Sequence, residues 1–202
     1  MAYERELGAA LKELHGHFTK WQAGEITTWD LSELIHAHHN GMEFLRLGEM
    51  DGGLTPRLET VKQAWEAGGF KVLTFDDIHK MVWEKLICNC TYSGPCALTG
   101  LTVGQVQANP SAWNIAAACA TEAYLVAIAK GIKLDFDDPV RYVKAFGQKI
   151  PGARPSMLLD HMAGRPAEVD NINGAIPREG AKVGIAAPVN AVVVALLKAK
   201  ES

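Results

Sequence analysis

The chain has 202 residues, a formal net charge of −3 and an apolar fraction of 48%. This length suits one ordinary domain or a small domain with an appendage, and the apolar fraction excludes a disordered chain. The mildly acidic net charge gives no reason to expect nucleic acid or an anionic membrane as a partner. No stretch approaches the roughly 18 apolar residues of a membrane span, and the charged start lacks the apolar core of a signal peptide. We therefore expect a cytoplasmic protein.

Residues 1–41 have the pattern of a helical hairpin. The pattern predicts helices over 3–22 and about 28–38, which end at Ala23-Gly24 and Asn40-Gly41. One face of the first helix carries Leu7, Leu11, Leu14, Phe18 and Trp21. A hairpin of this size is too small to hold a core of its own, so we expect it to pack on something else.

The hairpin also holds most of the histidines, in His-x-His and His-x-His-His spacing: His15, His17, His36, His38 and His39. Such spacing could ligate zinc or nickel. No evident shell of further ligands completes it, so the preferred interpretation is solvated histidines at helix ends, and we expect no metal site.

Residues 42–76 change to short alternating segments. EFLRLG at 43–48 and FKVLTF at 70–75 predict two strands, and Pro56 is well placed to begin a helix over 56–67. The apolar side of this helix includes Leu58, Val61 and Trp65. Strands this short leave unpaired edges, which we expect the hairpin, a second copy or a lost partner to cover.

From residue 77 onward the pattern is helical. Asp76 or Asp77 is the expected cap of a long helix that carries Ile78, Val82, Leu86 and Cys90. Further helices are predicted at about 102–108, 111–131, 137–148, 155–163, 166–183 and 188–200. The almost wholly apolar segment Val189–Leu197 is expected to be buried on several sides. Four cysteines without a common zinc spacing are expected to be buried, reduced thiols: Cys88, Cys90, Cys96 and Cys119.

The long helix carries the first motif with chemistry. Lys85, Asn89 and Ser93 are spaced i, i+4, i+8 and therefore share one face. Because the neighbouring residues are mostly apolar, we expect Lys85 to be desolvated, which would make it a usable general acid. Asn89 and Ser93 could hydrogen-bond a carboxylate or carbonyl oxygen. The alternative is a lysine that snorkels from a half-buried helix.

A second motif comprises RPSMLLD at 154–160 and GRPAEVDNING at 164–174. Ser156 falls at an expected N-cap, where a helix N-terminus with a hydroxyl suits a carboxylate. Glu168 and Asn171 are i, i+3 neighbours in the next predicted helix. An ordinary capped surface helix would explain Asn171, but it gives no reason for the whole polar string.

Together these strings resemble the ketopantoate reductase family. The strings W-E-K-L-x-x-N, R-P-S-M-L-x-D, G-R-P-x-E-[IV]-D-x-[IL]-N-G-A-I and Pro188-Val189-Asn190 occur in this order in that family. Upstream, Gly48-Glu49-x-Asp51-Gly52 and Pro56-Arg57 resemble the end of its nucleotide-binding domain. The resemblance runs from about residue 43 to the C-terminus.

The resemblance implies a mainly α fold. Residues 77–202 would form an all-helical domain like the C-terminal domain of 6-phosphogluconate dehydrogenase. A short β-α-β remnant of a Rossmann domain would precede it at 42–76, after a hairpin of unknown origin at 1–41. The junction at Gly41-Met42 looks like a join between unrelated segments.

The resemblance also implies NADPH-dependent reduction of a small 2-oxo acid, 2-dehydropantoate, in pantothenate biosynthesis. Lys85 matches the catalytic lysine that donates a proton to the ketone oxygen, and Glu168 matches the acidic residue that supports it. Asn89 and Ser156 match substrate-binding residues. Ser93 stands where the family usually has a second asparagine, and its shorter side chain leaves the exact substrate open.

The sequence lacks the G-x-G-x-x-G loop that seats a pyrophosphate on a helix N-terminus in this family. We therefore expect the chain alone to bind NADPH weakly or not at all, and its cofactor-binding residues are unknown. A homodimer or a Rossmann-domain partner could supply what is missing. The alternatives are a non-catalytic helical dimerisation or interaction module derived from the family, and a module whose hairpin recruits a partner.

Overall fold

The computed structural model describes residues 44–202, together with the isolated positions Lys20 and Glu25. The predicted hairpin over 1–41 and its histidines lie outside the described residues. Within the described part, Arg46–Ser202 form one structural unit.

The unit begins with a β-α-β segment. Strand β1 (Leu45–Gly48) and strand β2 (Val72–Phe75) form a two-stranded parallel sheet, and helix α1 (Pro56–Ala67) connects them. Pro56 stands at the start of α1 as predicted, and the hydroxyl of Thr55 accepts a hydrogen bond from the amide of Leu58 at 3.1 Å. Both strands are confirmed, and each begins two residues later than the alternation predicts.

The turn before α1 is held by Glu49. Its carboxylate accepts hydrogen bonds from the Thr55 hydroxyl at 2.5 Å and from Arg57 Nε at 3.1 Å, and Arg57 Nη2 forms an ion pair with it. The hydrogen bonds from Arg57 and then Thr55 lower the pKa of Glu49. The family-like string from Gly48 to Arg57 therefore joins the end of β1 to the start of α1.

From Ile78 to the C-terminus every regular element is a helix. The helices are α2 (Ile78–Thr99), α3 (Val103–Ala108), α4 (Pro110–Ala129), α5 (Pro139–Lys149), α6 (Ser156–Met162), α7 (Ala175–Val183) and α8 (Pro188–Glu201). Local chemistry sets most of their ends. Asp77 caps α2 by accepting from the His79 amide at 2.9 Å, and α4, α5 and α8 each begin with proline. The predicted mainly helical architecture is confirmed.

Helix α4 is the centre of the helical core. It is long and apolar enough to cross a membrane, by length and composition only. However, it packs against α2, α3, α5, α7 and α8, and one face of it is fully buried: Ala116, Cys119, Ala120, Ala123, Val126 and Ala127. Small residues on this face allow the neighbouring helices to approach closely, so the apolar character of α4 is accounted for by burial inside the protein.

Two expectations about helices are wrong. The helix predicted over 166–183 begins only at Ala175, because residues 165–168 are irregular and residues 169–174 form turns, with the Gly174 amide donating to the Val169 carbonyl at 2.9 Å. In α8, Val193 and Leu197 are buried, but Val192 and Leu196 are 57% and 52% exposed. The apolar run is therefore not buried on several sides, since α8 packs on the core by one face only.

All four cysteines are free and buried, as predicted. Burial raises the pKa of the Cys88, Cys96 and Cys119 thiols to about 12. It also raises the pKa of Cys90. Because the thiolate is the reactive form, these side chains behave as small apolar groups of the core.

Candidate active site

The predicted motif face of α2 runs from the surface into the core. Lys85 is exposed, Asn89 is half-buried, and Ser93 is only 4% exposed. The expectation that Lys85 is desolvated is wrong for the described structure. Its apolar neighbours Trp83 and Ile87 turn toward the core on the other side of the helix, because successive residues are rotated by about 100°.

Titratable side chains lie on or beside the first turns of α2. Lys80 pairs with Asp135, whose hydrogen bond is the main cause that raises the pKa of Lys80. Burial raises the pKa of Tyr142 to about 12, and the charges of Cys88 and Glu84 add to that effect. Lys85 itself is exposed and forms no ion pair with the residues that the structure describes.

Ser156 is the first residue of α6. The capping position belongs to Pro155, and no side chain caps this helix, so the expectation that Ser156 is an N-cap is wrong by one residue. Proline has a fixed φ suited to the residue before a helix, but it brings no oxygen that could bond the first amides. Met157 and Leu158 are buried and α6 packs on α2, which leaves Ser156 exposed at the edge of that contact.

Glu168 lies in the loop over 163–174, not in a helix, and its residue is exposed. Several contacts hold this loop. Arg165 donates two hydrogen bonds to Asp160, of which the shorter is 2.6 Å. The Ala167 amide donates to Oε1 of Glu201 at 2.9 Å. The irregular backbone around Glu168 is therefore tied to α6 and to the end of α8.

A buried polar network lies beneath this loop. Asn173 and Asn190 have no exposed surface, and the Asn173 amide group donates to Oδ1 of Asn190 at 2.9 Å. Asn190 in turn donates to Oε2 of Glu122 at 2.8 Å. Glu122 also accepts from the backbone amides of Val189 and Asn190 at 2.8 and 2.9 Å, so a side chain of α4 caps helix α8.

Sequence reasoning noted Asn173 and Asn190 as parts of family-like strings but assigned them no structural part, and it missed Glu122. The sequence does contain a signal for the contact between Glu122 and the start of α8. Glu122 is the one acidic residue of the apolar α4 sequence, and α8 begins after Ala187, which has no side-chain oxygen to cap it. A lone charge in one helix and a missing cap in another together indicate a contact between them.

The structure brings together the elements that carry the five predicted site residues. Lys85, Asn89 and Ser93 lie on α2, Ser156 begins the helix that packs on α2, and the Glu168 loop is anchored nearby. Within the described part, no side-chain hydrogen bond joins any two of these five residues. The arrangement offers an ammonium donor, an amide, hydroxyl groups and a carboxylate on adjoining elements, which suits the binding and protonation of an oxo acid.

The described residues do not form a seat for the pyrophosphate of a dinucleotide. The N-terminus of α1 follows a strand, but the Glu49 carboxylate already lies there, bonded to Thr55 and Arg57. The described part of the chain also holds no group of three or more His, Cys, Asp or Glu residues arranged for a metal ion.

Comparison with known proteins supplies the family relationship. The family model described as "Ketopantoate reductase PanE/ApbA C terminal" matches residues 77–201. A 2-dehydropantoate 2-reductase from Archaeoglobus fulgidus is 29% identical over 96% of this chain and 66% of its own length. That alignment includes most of residues 1–40, for which the motifs indicate no counterpart.

Solved structures show the same similarity. The 2-dehydropantoate 2-reductase from Methylococcus capsulatus aligns with a TM-score of 0.72 at 30% identity, over 81% of this chain and 56% of its own length. A D-mandelate dehydrogenase solved with NADH aligns with a TM-score of 0.70 at 26% identity, over 78% of this chain and 54% of that one. The chain thus spans between about half and two thirds of the length of these relatives.

Proposed function

Since the chain belongs to the ketopantoate reductase family, we propose that it carries the substrate-binding and proton-donating half of an NADPH-dependent reductase of small 2-oxo acids. The observation that carries this proposal is the stripe of the exposed Lys85 and the half-buried Asn89 on α2, next to the helix that begins with Ser156 and the loop of Glu168. The expected substrate is 2-dehydropantoate, as for the named relatives, which would make the reaction a step of pantothenate biosynthesis.

Each polar group has a defined task in this proposal. When bound, the nicotinamide supplies a hydride to the keto carbon. Lys85 donates a proton to the ketone oxygen, so that the product is an alcohol and the lysine is left neutral until water restores its proton. Glu168 supports the lysine through its negative charge, and Asn89 and Ser156 hold the carboxylate and carbonyl oxygens of the substrate.

Ser93 would act at the buried end of the same face. Its exposure of 4% means that it could contact only a part of the substrate that reaches into the helical core. The similarity to D-mandelate dehydrogenase leaves two further outcomes open for the test. The substrate could be a 2-oxo acid other than 2-dehydropantoate, and the cofactor could be NADH.

The partner in this proposal is a nucleotide-binding domain, in the same polypeptide, in a second copy of the chain or in another protein. Nucleic acid and membranes are not among the expected partners, and a cytoplasmic location stays a prediction. Because the described residues lack a pyrophosphate seat, we expect the chain alone to bind NADPH weakly.

The second candidate function is a non-catalytic dimerisation or interaction module. A groove between α2, α4 and α8 favours it, since this groove is lined only by apolar residues, which include Leu98, Ile115, Val192 and Leu196. Exposed apolar surface of this kind is typical of contacts between proteins.

The test compares the chain alone with the chain joined at residue 44 to the nucleotide-binding domain of a relative. NADPH affinity is measured by calorimetry, and reduction is followed by NADPH absorbance with 2-dehydropantoate and with a bulkier 2-oxo acid. The proposal expects reduction by the joined protein. A joined protein that binds NADPH tightly and reduces neither acid would contradict it and favour the interaction module.

A further inference from the structure

The loop that carries Glu168 has no regular secondary structure, yet its two ends are held in different ways. At its beginning, the Ala167 amide bonds Glu201, whose Oε1 atom also lies 2.8 Å from His161 Nε2. This anchor is only partly shielded from solvent, because the Glu201 side chain is 22% exposed. At its end, the side chain of Asn173 enters the core with no exposed surface. The hydrogen bonds of this second anchor are therefore shielded from competing water molecules.

Asn173 connects the loop directly to α2. Its amide group donates one hydrogen bond to the Cys90 carbonyl at 2.9 Å and the other to Oδ1 of Asn190 at 2.9 Å. Cys90 follows Asn89 and lies one and a half turns after Lys85. The contact thus joins the Glu168 loop to the segment of α2 that presents the proposed proton donor.

The hydrogen bonds define the orientation of both amide groups. Asn190 Nδ2 lies beside the Cys119 carbonyl at 3.3 Å and Oε2 of Glu122 at 2.8 Å, which are both acceptors. Its Oδ1 must therefore face Asn173, and Asn173 must present its two N–H groups to Asn190 and Cys90. A hydroxyl or a carboxylate at position 173 could not donate both bonds.

Helix α2 is shaped to admit this side chain. A Cβ atom at Gly94 would lie 2.6 Å from Oδ1 of Asn173 and 2.6 Å from Cγ1 of Val193. The same Oδ1 atom is buried without a hydrogen-bond partner. A buried acceptor without a partner carries a free-energy cost, so the position of Asn173 is set by its two donated bonds and not by its oxygen.

We infer that Asn173 is a positioning residue, which holds the Glu168 loop in register with the Lys85 and Asn89 face of α2 through its bonds to Cys90 and Asn190. The inference rests on the proposed function only for the part that Glu168 plays. Its structural content, the link between the loop and α2, can be measured without any turnover.

The experiment places spin labels at Val82→Cys and Asn171→Cys, both at exposed positions, and measures their distance distribution by EPR. The native thiols are buried, so we expect the label to react with the two introduced cysteines, and a chain with only the native thiols serves as the labelling control. Asn173→Ser should broaden the distribution. The matched control is Thr91→Val, which removes a buried hydroxyl whose hydrogen bond, to the Ile87 carbonyl at 2.6 Å, stays within α2. It should leave the distribution unchanged.

Gly94→Ala provides a second perturbation from the side of α2, for the case in which Asn173→Ser does not fold, and it should also broaden the distribution. The inference is overturned if Asn173→Ser folds and gives the distance distribution of the parent. If Asn173→Ser does not fold, the same result for folded Gly94→Ala overturns it. In the protein joined to a nucleotide-binding domain, Asn173→Ser should lower kcat by about 10- to 100-fold and leave the KM for NADPH unchanged. If the joined parent reduces no 2-oxo acid, the proposed function fails, and the distance measurement still decides the inference.

Discussion

At the scale of single residues, exposure separates the polar side chains into two groups. Lys85, Ser156 and Glu168 are exposed, whereas Asn173 and Asn190 are buried and hydrogen-bonded to each other and to backbone carbonyls inside the protein. A polar residue that costs nothing to solvate has no structural reason to be a particular type, while a buried one must match its partners. In the proposed function the exposed group supplies the proton donor and its support, and in the further inference the buried group holds the Glu168 loop against α2.

Lys85→Ala tests the first group. In the chain joined to a nucleotide-binding domain, we expect reduction of the 2-oxo acid to fall by about 10²- to 10⁴-fold, the usual contribution of a general acid. Because Lys85 is exposed and unpaired among the described residues, the free energy of unfolding should change by less than about 0.5 kcal/mol. Steady-state kinetics and urea denaturation measure the two effects. Undiminished turnover would show that another group donates the proton.

At the scale of helices, two of the charged contacts in the described part of the chain join helix α4 to its neighbours. Glu122 of α4 caps α8, and Glu179 of α7 binds Lys130 at the end of α4 at 2.9 Å. In both cases a carboxylate joins two helices that the sequence separates by many residues. Such contacts set how the helices are docked, since apolar packing alone is less directional.

Glu122→Ala should lower the free energy of unfolding by about 2–3 kcal/mol, because three donors near the start of α8 lose a charged acceptor. Urea denaturation followed by circular dichroism measures the loss. The control is Thr121→Ala on the same helix, where the exposed hydroxyl bonds only the Ala117 carbonyl of α4. Equal stability of the two variants would show that the cap contributes little.

Glu179 predicts a dependence of stability on pH. Hydrogen bonds from Lys130 and then Lys182 lower the pKa of Glu179 from 4.5 to about 2. A carboxylate with a depressed pKa stabilises the folded state above its unfolded pKa, and this contribution is lost as the pH falls from about 4.5 toward 2. Glu179→Gln should therefore lower the free energy of unfolding near neutral pH, by only about 1 kcal/mol because the pair is close to the surface. Near pH 2 the substitution should leave the free energy of unfolding almost unchanged. Thermal melts across this pH range test it, and a constant difference would contradict it.

At the scale of the whole molecule, the described part exposes two apolar surfaces. One lies on the β-α-β segment, where Trp65 and Val61 are each 40% exposed, and the other is the groove that includes Val192 and Leu196. Protein surfaces of this kind are usually covered by another domain or another copy. The chain also spans only part of the length of its relatives.

We therefore expect the 202-residue chain to form a dimer or to aggregate at high concentration. Val192→Glu should shift the population toward monomer if the groove on α8 is the contact, and Val61→Lys should do so if the β-α-β surface is. Light scattering coupled to size exclusion distinguishes these outcomes. A parent chain that stays monomeric at high concentration would contradict the prediction.

The mainly helical fold, most of the helix boundaries and the family could be predicted from the sequence. Periodicity, prolines at helix starts and capping residues such as Asp77 act over a few residues, so they can be recognised without the fold. The ordered strings around Lys85, Ser156 and Glu168 identified the family for the same reason. The domain limits at 41 and 76 and the roles of the five site residues stay predictions.

Contacts between distant segments set which polar residues are buried and where the loop of Glu168 lies. The sequence predicts a helix over 166–183, but the helix begins only at Ala175. The hydrogen bond from Asn173 to the Cys90 carbonyl joins residues 83 positions apart and fixes the turns that precede this helix. The exposure of Lys85 likewise depends on which face of α2 meets α4 and α6. Both outcomes arise from contacts between distant segments, and no local pattern in the sequence contains them.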